Sequence, residues 1–199
     1  YNETNCGEGF DLADLALTGA QGKLIKAIHA TGKPVILVLV TGKPFSIAWE
    51  KKHIPAILIQ WYAGEQEGSS IANILFGKTN PSGHLTVSFP QSSGHLPAYY
   101  NHLPTDRGFY HKPGSYEQPG RDYVFSSPGP LWAFGHGLTY TTFNYTDMQI
   151  QQSIDSIKVF VTVKNTGRWA GKAVPQLYVR DVFSSISTPV KQLKAFNKV

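Results

Sequence analysis

The stretch Ala56-Ile-Leu-Ile-Gln-Trp-Tyr-Ala-Gly-Glu-Gln-Glu-Gly-Ser-Ser-Ile-Ala-Asn-Ile-Leu-Phe-Gly-Lys-Thr-Asn-Pro-Ser-Gly-His-Leu-Thr-Val-Ser-Phe-Pro90 decides how the chain is read. Ala56 to Ile59 is an apolar run too short for a helix and reads as a strand, which Gly64 breaks. Ile71, Ile74 and Leu75 then recur at helical spacing. Asn80-Pro81-Ser82-Gly83 predicts a turn, and His84 to Phe89 alternates as a second strand that Pro90 stops. Strand, helix and strand in that order form the unit with which an open α/β sheet builds a site beyond the carboxyl ends of its strands.

Upstream, Gly19 to Ala30 predicts a helix with Leu24, Ile25 and Ile28 on one side, closed by Gly32 and Pro34. Pro34 to Val40 is a continuous apolar run rich in β-branched residues, the pattern of a strand covered on both faces. After the loop Thr41-Gly42-Lys43-Pro44, Phe45 to Lys52 predicts a short crossover helix leading to the strand at Ala56. Residues 19 to 90 therefore read as a small, mostly parallel sheet. Tyr1 to Asp14 shows neither period and carries four carboxylates, which reads as a loop.

Downstream, Gln91 to Pro130 turns to Gly, Pro, Ser, His and Tyr without a sustained period. Its aromatics, Tyr99, Tyr100, Phe109, Tyr110, Tyr116 and Tyr123, argue against plain disorder, so an ordered wrap is expected that leads into Leu131 to Phe143. Beyond Asn144, Ile157, Val159, Val161 and Val163 alternate with Lys158, Phe160, Thr162 and Lys164 as a half-buried strand. Asn165-Thr166-Gly167 turns the chain, so that Ala173 to Asp181 is expected to pair back, with Pro175 at an edge or bulge. An immunoglobulin-type sandwich needs about 100 residues. Only 56 remain from Asn144, so the sandwich is expected to be incomplete.

The 199 residues, 41% hydrophobic and 13% aromatic, suffice for one large or two small domains with true cores. No stretch approaches the roughly 20 apolar residues of a membrane helix. The acidic, polar Tyr1 to Asp14 does not read as a signal peptide, so any leader is missing from this chain. The net charge of +5 raises nucleic acid as a partner, but its location argues otherwise. Residues 1–150 hold ten Lys/Arg against eleven Asp/Glu, and 151–199 hold eight against two. A solvated sheet face in the tail accounts for that surplus, so neither nucleic acid nor a membrane is expected as a partner. Cys6 is the only cysteine, which rules out an intramolecular disulfide and a cysteine-rich metal site.

Several stretches taken together resemble glycoside hydrolase family 3, the β-glucosidases and β-xylosidases, in its carboxyl-terminal half. They are Thr31-Gly-Lys-Pro-Val-Ile-Leu-Val-Leu-Val40, Trp61-Tyr-Ala-Gly-Glu-Gln-Glu-Gly68, Leu75-Phe-Gly77, Asn80-Pro-Ser-Gly83, Phe134-Gly-His-Gly-Leu-Thr-Tyr-Thr-Thr-Phe143 and Pro189-Val-Lys-Gln-Leu-Lys-Ala-Phe196. The resemblance implies an α/β sandwich domain with a mostly parallel sheet at 1–110. A linker wrap rich in aromatics, Gly and Pro would follow at 111–143, then an incomplete fibronectin-III-like β-sandwich at 144–199. It also implies that an amino-terminal (β/α)8 barrel, which holds the family's aspartate nucleophile and most of its sugar-binding subsite, is absent from this chain. The chain then looks like a fragment at both ends.

Retaining glycoside hydrolysis needs two carboxyls about 5 to 5.5 Å apart, one attacking the anomeric carbon and one protonating the leaving oxygen. Glu8, between Gly7 and Gly9 and close to Phe10, sits in a setting similar to the Gly-Glu-Gly-aromatic segment that holds the acid/base in several family members. It is therefore the expected acid/base, with a solvated loop glutamate as the bland reading and Glu3 as a second candidate. The chain departs from many relatives in having Leu12 and Ala13, not Arg, after Asp11. Asp11 and Asp14 read as loop ties or helix-entry residues. Glu65 and Glu67 read as carboxylates at a helix start, where they complement the dipole. Trp61 and Tyr62, at the carboxyl end of a strand, either stack on a sugar ring or pack in the core.

His84, His95, His102, His111 and His136 lack both i, i+4 helical spacing and an HExxH frame, so no metal is expected. No phosphate loop, dinucleotide fingerprint or nucleophile elbow is present either, and no cofactor is implied. Asn2-Glu3-Thr4 and Asn144-Tyr145-Thr146 are glycosylation sequons, meaningful only in a eukaryotic secretory pathway.

The intact protein is thus expected to be a retaining exo-β-glycosidase acting on terminal non-reducing β-D-glucosyl residues of oligo- or aryl-β-glycosides, the isolated chain being inactive. β-Xylosidase is the near alternative, although Asn80 to Tyr100 and Arg121 to Phe143 lean to β-glucosidase. A non-catalytic structural or carbohydrate-binding module is the alternative from another class. The resemblance implies the barrel of the same protein as partner, allows a homodimer, and implies a secreted or periplasmic location.

Overall fold

The computed structural model describes residues 9–104, 117, 126, 127 and 129–199. The chain divides into two compact units: Tyr1–Glu67 with Leu85–His136 and Arg180–Gln192, and Gly68–His84 with Gly137–Val179 and Leu193–Val199.

In the first unit, helix α1 spans Gln21–His29, strand β1 Ile36–Val40, helix α2 Ala48–His53 and strand β2 Ala56–Gln60. The expected helix around Leu24, Ile25 and Ile28 is present. Gly19 and Gly32, both at positive φ where a side chain would be strained, bracket it. Thr31 Oγ1 donates to the Ile28 carbonyl at 2.7 Å, and Lys26 and His29 lie in the last turn, where cations favour the negative helix end. β1 and β2 pair in parallel, from Ile36 opposite Ala56 to Val40 opposite Gln60, with α2 as the crossover.

Three features differ from the sequence reading. β1 is not covered on both faces: Leu39 is buried, but Ile36 is 57% exposed, because among the described residues its sheet has two strands and no more. The crossover helix begins at Ala48 rather than Phe45, because Phe45 and Ile47 are drawn into the core and Ile47 takes the non-helical backbone φ −117°, ψ 48°. Residues 84–89 form no strand of a parallel sheet. Instead Phe89 N donates to Trp132 O and Leu131 N to Phe89 O, both at 2.8 Å, while Leu85 N donates to His136 O and Gly135 N to Leu85 O. This irregular antiparallel pairing contains a single bridge, Phe89 to Trp132.

That pairing closes the core. Leu39, Phe45, Ile47, Phe89 and Leu131 are buried together, with Leu12, Leu17, Ile59, Trp61, Leu85 and Trp132 packed against them. Phe89, fully buried, lies between Trp61 and Trp132, with ring centroids 6.2 and 5.9 Å away. Burying such a side chain contributes about 1.5–3 kcal/mol.

In the second unit, apart from the first residues Glu67 and Gln192, helix α3 runs Glu67–Leu75, strand β3 Phe143–Gln152, β4 Ile157–Asn165, β5 Gln176–Val179 and β6 Gln192–Phe196. β4 is the strand expected from alternation, although only Val159 and Val163 of its valines are half-buried. Its partner is β3 and not the segment after Asn165, while β5 pairs with β6. β3 escaped recognition because it is polar and because a register shift between Thr146 and Gln149, with Asp147 at φ 55°, breaks its alternation. Pro175 lies just outside β5, where its carbonyl accepts from Asn197 N at 3.2 Å.

Asn80 ties this unit together; the turn expected at Asn80-Pro81-Ser82-Gly83 falls earlier, at Phe76 and Gly77 directly after the helix, and Asn80 uses its side chain for bonds to distant residues. Its Oδ1 accepts from Thr139 Oγ1 at 2.6 Å and Tyr140 N at 2.8 Å, and its Nδ2 donates to Ala170 O at 2.9 Å. Gly171 must lack a side chain here, since a Cβ would stand 2.6 Å from Asn80 Nδ2. Asn80→Ala is expected to lower stability by about 1–3 kcal/mol, read as a lower urea midpoint with an unchanged m-value. A loss below about 0.5 kcal/mol would show that water replaces all three bonds.

Candidate functional site

Sites in parallel sheets form where strands end and loops begin, so the carboxyl ends of β1 and β2 come first. Thr41 N donates to Gln60 O at 3.0 Å, extending the ladder by one bond. The Thr41 side chain is 1% exposed; its hydroxyl donates to Lys43 O at 2.6 Å and accepts from Lys43 N at 3.1 Å. These reciprocal bonds fix the loop backbone. At Gly42 a Cβ would lie 2.7 Å from the Tyr62 hydroxyl oxygen and 2.8 Å from Cε2, so glycine is what lets the tyrosine ring lie against the loop.

Trp61 and Tyr62 are adjacent but differently placed. Trp61 packs against the buried cluster. Tyr62 is 50% exposed, with its ring against Gly42. The packing of Trp61 agrees with its reading as a core residue.

Glu8 and Glu3 lie outside the described residues, but the segment that follows them is held at several points. Lys43 Nζ donates to Phe10 O at 3.3 Å. Leu12 and Leu17 pack on the core, and Ser46 N donates to Leu15 O at 2.7 Å. Ser93 Oγ accepts from Leu15 N and donates to Asp14 Oδ1, both at 3.0 Å, while Asp14 Oδ1 also accepts from Ala16 N at 3.0 Å. Asp14 is thus a loop tie, as its sequence position suggested. The Ala16 amide, and after it the Ser93 hydroxyl, stabilise the ionised carboxylate and hold its pKa below the usual value. Asp11 is exposed on the same loop.

Glu67 occupies the first turn of α3, its amide donating to Gly64 O at 3.1 Å where Gly64 has φ +76°; Glu65 precedes it in the turn. Both positions suit the dipole role. His84 Nδ1 contacts Ser82 O at 3.1 Å, buried His95 accepts from Gln91 N through Nδ1 at 3.2 Å, His102 Nδ1 contacts Leu103 O at 2.9 Å, and the His136 ring stacks near Trp132. His111 lies outside the described residues. Among the described residues, no group of three or more His, Cys, Asp or Glu side chains is arranged to hold a metal, and no helix is long and apolar enough to cross a membrane.

Lys43 was not among the sequence candidates. Its motif, Thr41-Gly42-Lys43-Pro44, announces a loop, but nothing in the chain order announces a contact with Phe10, 33 positions earlier. The side-chain stack of Trp49 on His53, with His29 edge-on and Lys26 over the indole, was equally invisible.

Residues 1–140 match the profile of the glycosyl hydrolase family 3 C-terminal domain, and residues 173–199 that of the fibronectin type III-like domain. Among curated relatives, a beta-xylosidase from Formosa agariphila is 43% identical over 98% of this chain and 26% of its own length. A periplasmic beta-glucosidase from Salmonella typhimurium is 42% identical over 96% and 25%. The structure of a beta-glucosidase from Listeria innocua in complex with glucose superimposes with a TM-score of 0.88 at 38% identity, covering 98% of this chain and 28% of that one. The chain therefore spans about a quarter of the length of the curated relatives it matches.

The Asp14 tie makes a pH prediction. Because its folded-state pKa is depressed, its contribution to stability is complete above the unfolded-state value of about 3.9 and is lost as pH falls through the lower folded value. The stability difference between the native chain and Asp14→Asn, followed by chemical denaturation, is expected to be constant from pH 5 upward and to shrink below about pH 4. A difference independent of pH between 2 and 6 would remove the charge from the explanation.

Proposed function

The chain belongs to glycoside hydrolase family 3, and we propose that it is the acid/base-bearing part of a retaining exo-β-glycosidase that releases terminal non-reducing β-D-glucosyl residues. The observation that carries this is likeness along nearly the whole chain to β-glucosidases and β-xylosidases at about two residues in five identical. Glu8 protonates the glycosidic oxygen as the leaving group departs. An aspartate outside this chain, on an amino-terminal barrel, attacks the anomeric carbon to form the glycosyl-enzyme, and Glu8 then deprotonates the incoming water. Tyr62, half exposed, stacks on the sugar, with Trp61 beside it in the chain. The α/β part at 1–110 carries Glu8 and is followed by the wrap at 111–143 and the fibronectin-like part at 144–199. The periplasmic relative supports a secreted or periplasmic location.

β-Xylosyl substrates are the second reading, favoured by the 43% identity to the Formosa beta-xylosidase. Comparing kcat/KM on aryl β-glucoside and aryl β-xyloside decides between them.

Glu8→Gln in the full-length protein is expected to lower kcat/KM on an alkyl β-glucoside by about 10²-fold or more, while 2,4-dinitrophenyl β-glucoside, whose leaving group needs no proton, stays near the parent value. Equal activity of variant and parent on both would exclude Glu8 as the acid. The 199-residue chain alone is expected to show no turnover of either substrate; measurable hydrolysis by it would mean that the nucleophile is also within residues 1–199.

A further inference from the structure

We propose that the loop from Lys164 to Lys172 is a binding site for a carboxylated polysaccharide, one whose sugar units carry uronate groups. No residue of the first unit takes part, so the site stands independently of the acid/base reading of Glu8.

Charge sets this loop apart. The second unit carries seven Lys/Arg against two Asp/Glu, whereas the first carries eleven against eleven, so the whole surplus of +5 lies on the second. Between Ser156 and Val179 there is no carboxylate. Lys164, Arg168 and Lys172 are exposed, and among the described residues none of the three is in an ion pair. Asp147, on the strand paired with β4, has its carboxylate engaged by the Thr146 hydroxyl at 2.9 Å.

The backbone of the loop is pinned. Asn165 Oδ1 accepts from Gly167 N at 3.0 Å and from Thr141 Oγ1 at 2.7 Å, while Asn165 Nδ2 donates to Trp169 O at 2.8 Å. Thr166 N donates to Thr142 O at 2.8 Å, and Asn80 holds the Ala170 carbonyl. A Cβ at Gly167 would stand 2.7 Å from Thr142 N, so the turn lies directly on its neighbour. On this fixed backbone Trp169 is nevertheless 64% exposed, and its indole meets no other ring among the described residues. Trp and Arg are the side chains that carry most of the energy where surfaces bind, and a backbone already held in place loses little entropy on binding.

The side chains select the partner. A flat indole stacks on the apolar face of a pyranose ring, and a guanidinium presents paired donors to a carboxylate. Lys164 and Lys172 add charge at either end of the loop. A neutral glycan leaves all three cations unused, and a nucleic acid strand calls for successive stacking rings along a groove. One ring among three cations in nine residues suits a sugar bearing a carboxylate.

The test follows the full-length protein through native gels containing polygalacturonate, hydroxyethylcellulose, polyglutamate or single-stranded DNA. Polygalacturonate is expected to retard it, less so as salt rises, with a dissociation constant that increases about tenfold in Trp169→Ala and in Arg168→Ala. Lys78→Ala, which removes another exposed cation of the same unit, is expected to leave retardation unchanged, and kcat/KM on a small aryl β-glucoside stays at the parent value in all three variants. Absence of retardation by polygalacturonate would overturn the site. Equal retardation by hydroxyethylcellulose would remove the carboxylate from the recognition, and binding to polyglutamate or DNA as tight as to polygalacturonate would replace the polysaccharide with an acidic protein or a nucleic acid. An equal loss in Lys78→Ala would reduce the effect to net charge and overturn the loop as a site. Should Trp169→Ala fail to fold, Trp169→Leu is put through the same comparison.

Discussion

The backbone pairing of Phe89 with Leu131 and Trp132 is the constraint on which the first unit depends. Two bonds of 2.8 Å bring together segments far apart in the chain. They leave the Phe89 ring wholly out of water between Trp61 and Trp132. A two-stranded parallel sheet is a poor structure in isolation, since parallel sheets depend on covered faces. Here the irregular segments around Phe45, Ile47, Phe89 and Leu131 supply the cover for Leu39 that further strands or helices would otherwise supply. Lys51 strengthens the same seam, with its ammonium over the Trp132 ring and bonded to the Leu131 carbonyl.

What the core supports is the strand-end platform. Because β1 and β2 end together, with Val40 opposite Gln60, Thr41 and Trp61 leave the sheet side by side. Trp61 then turns toward the buried cluster and Tyr62 lies over Gly42. The Phe10 to Leu17 segment is stitched to this platform by Leu12, Leu15 and Leu17, by the Asp14–Ser93 pair, and at its amino end by Lys43.

Much of this was legible in the residues. The β-branched run at Pro34–Val40, the apolar run at Ala56–Ile59, the glycines around α1 and the alternation at Ile157–Val163 all produced elements where expected, because each is a local pattern with a local cause. Failures came where a distant partner overrides the local pattern. His84 to Phe89 alternates like a sheet strand, yet its backbone pairs irregularly with residues 131–136. β3 hides its strand character behind a bulge and a polar composition, so β4 was assigned the wrong neighbour. Glu67 and Asp14 were read correctly as helix-start and loop residues, since both roles follow from neighbours within a few positions.

The sequence by itself determined the family, through a series of short motifs in fixed order, and with it the α/β part followed by a fibronectin-like part. It also singled out Glu8, Trp61 and Tyr62 by residue type and setting. Only the tertiary structure separated Trp61 from Tyr62, packing one on the core and leaving half of the other open. It alone brought Lys43 to Phe10 and Ser93 to Asp14. The physical reason is that periodicity and propensity report on neighbours within about a turn or a strand, whereas which side chain meets which carbonyl across the fold is set by how the core closes around Phe89.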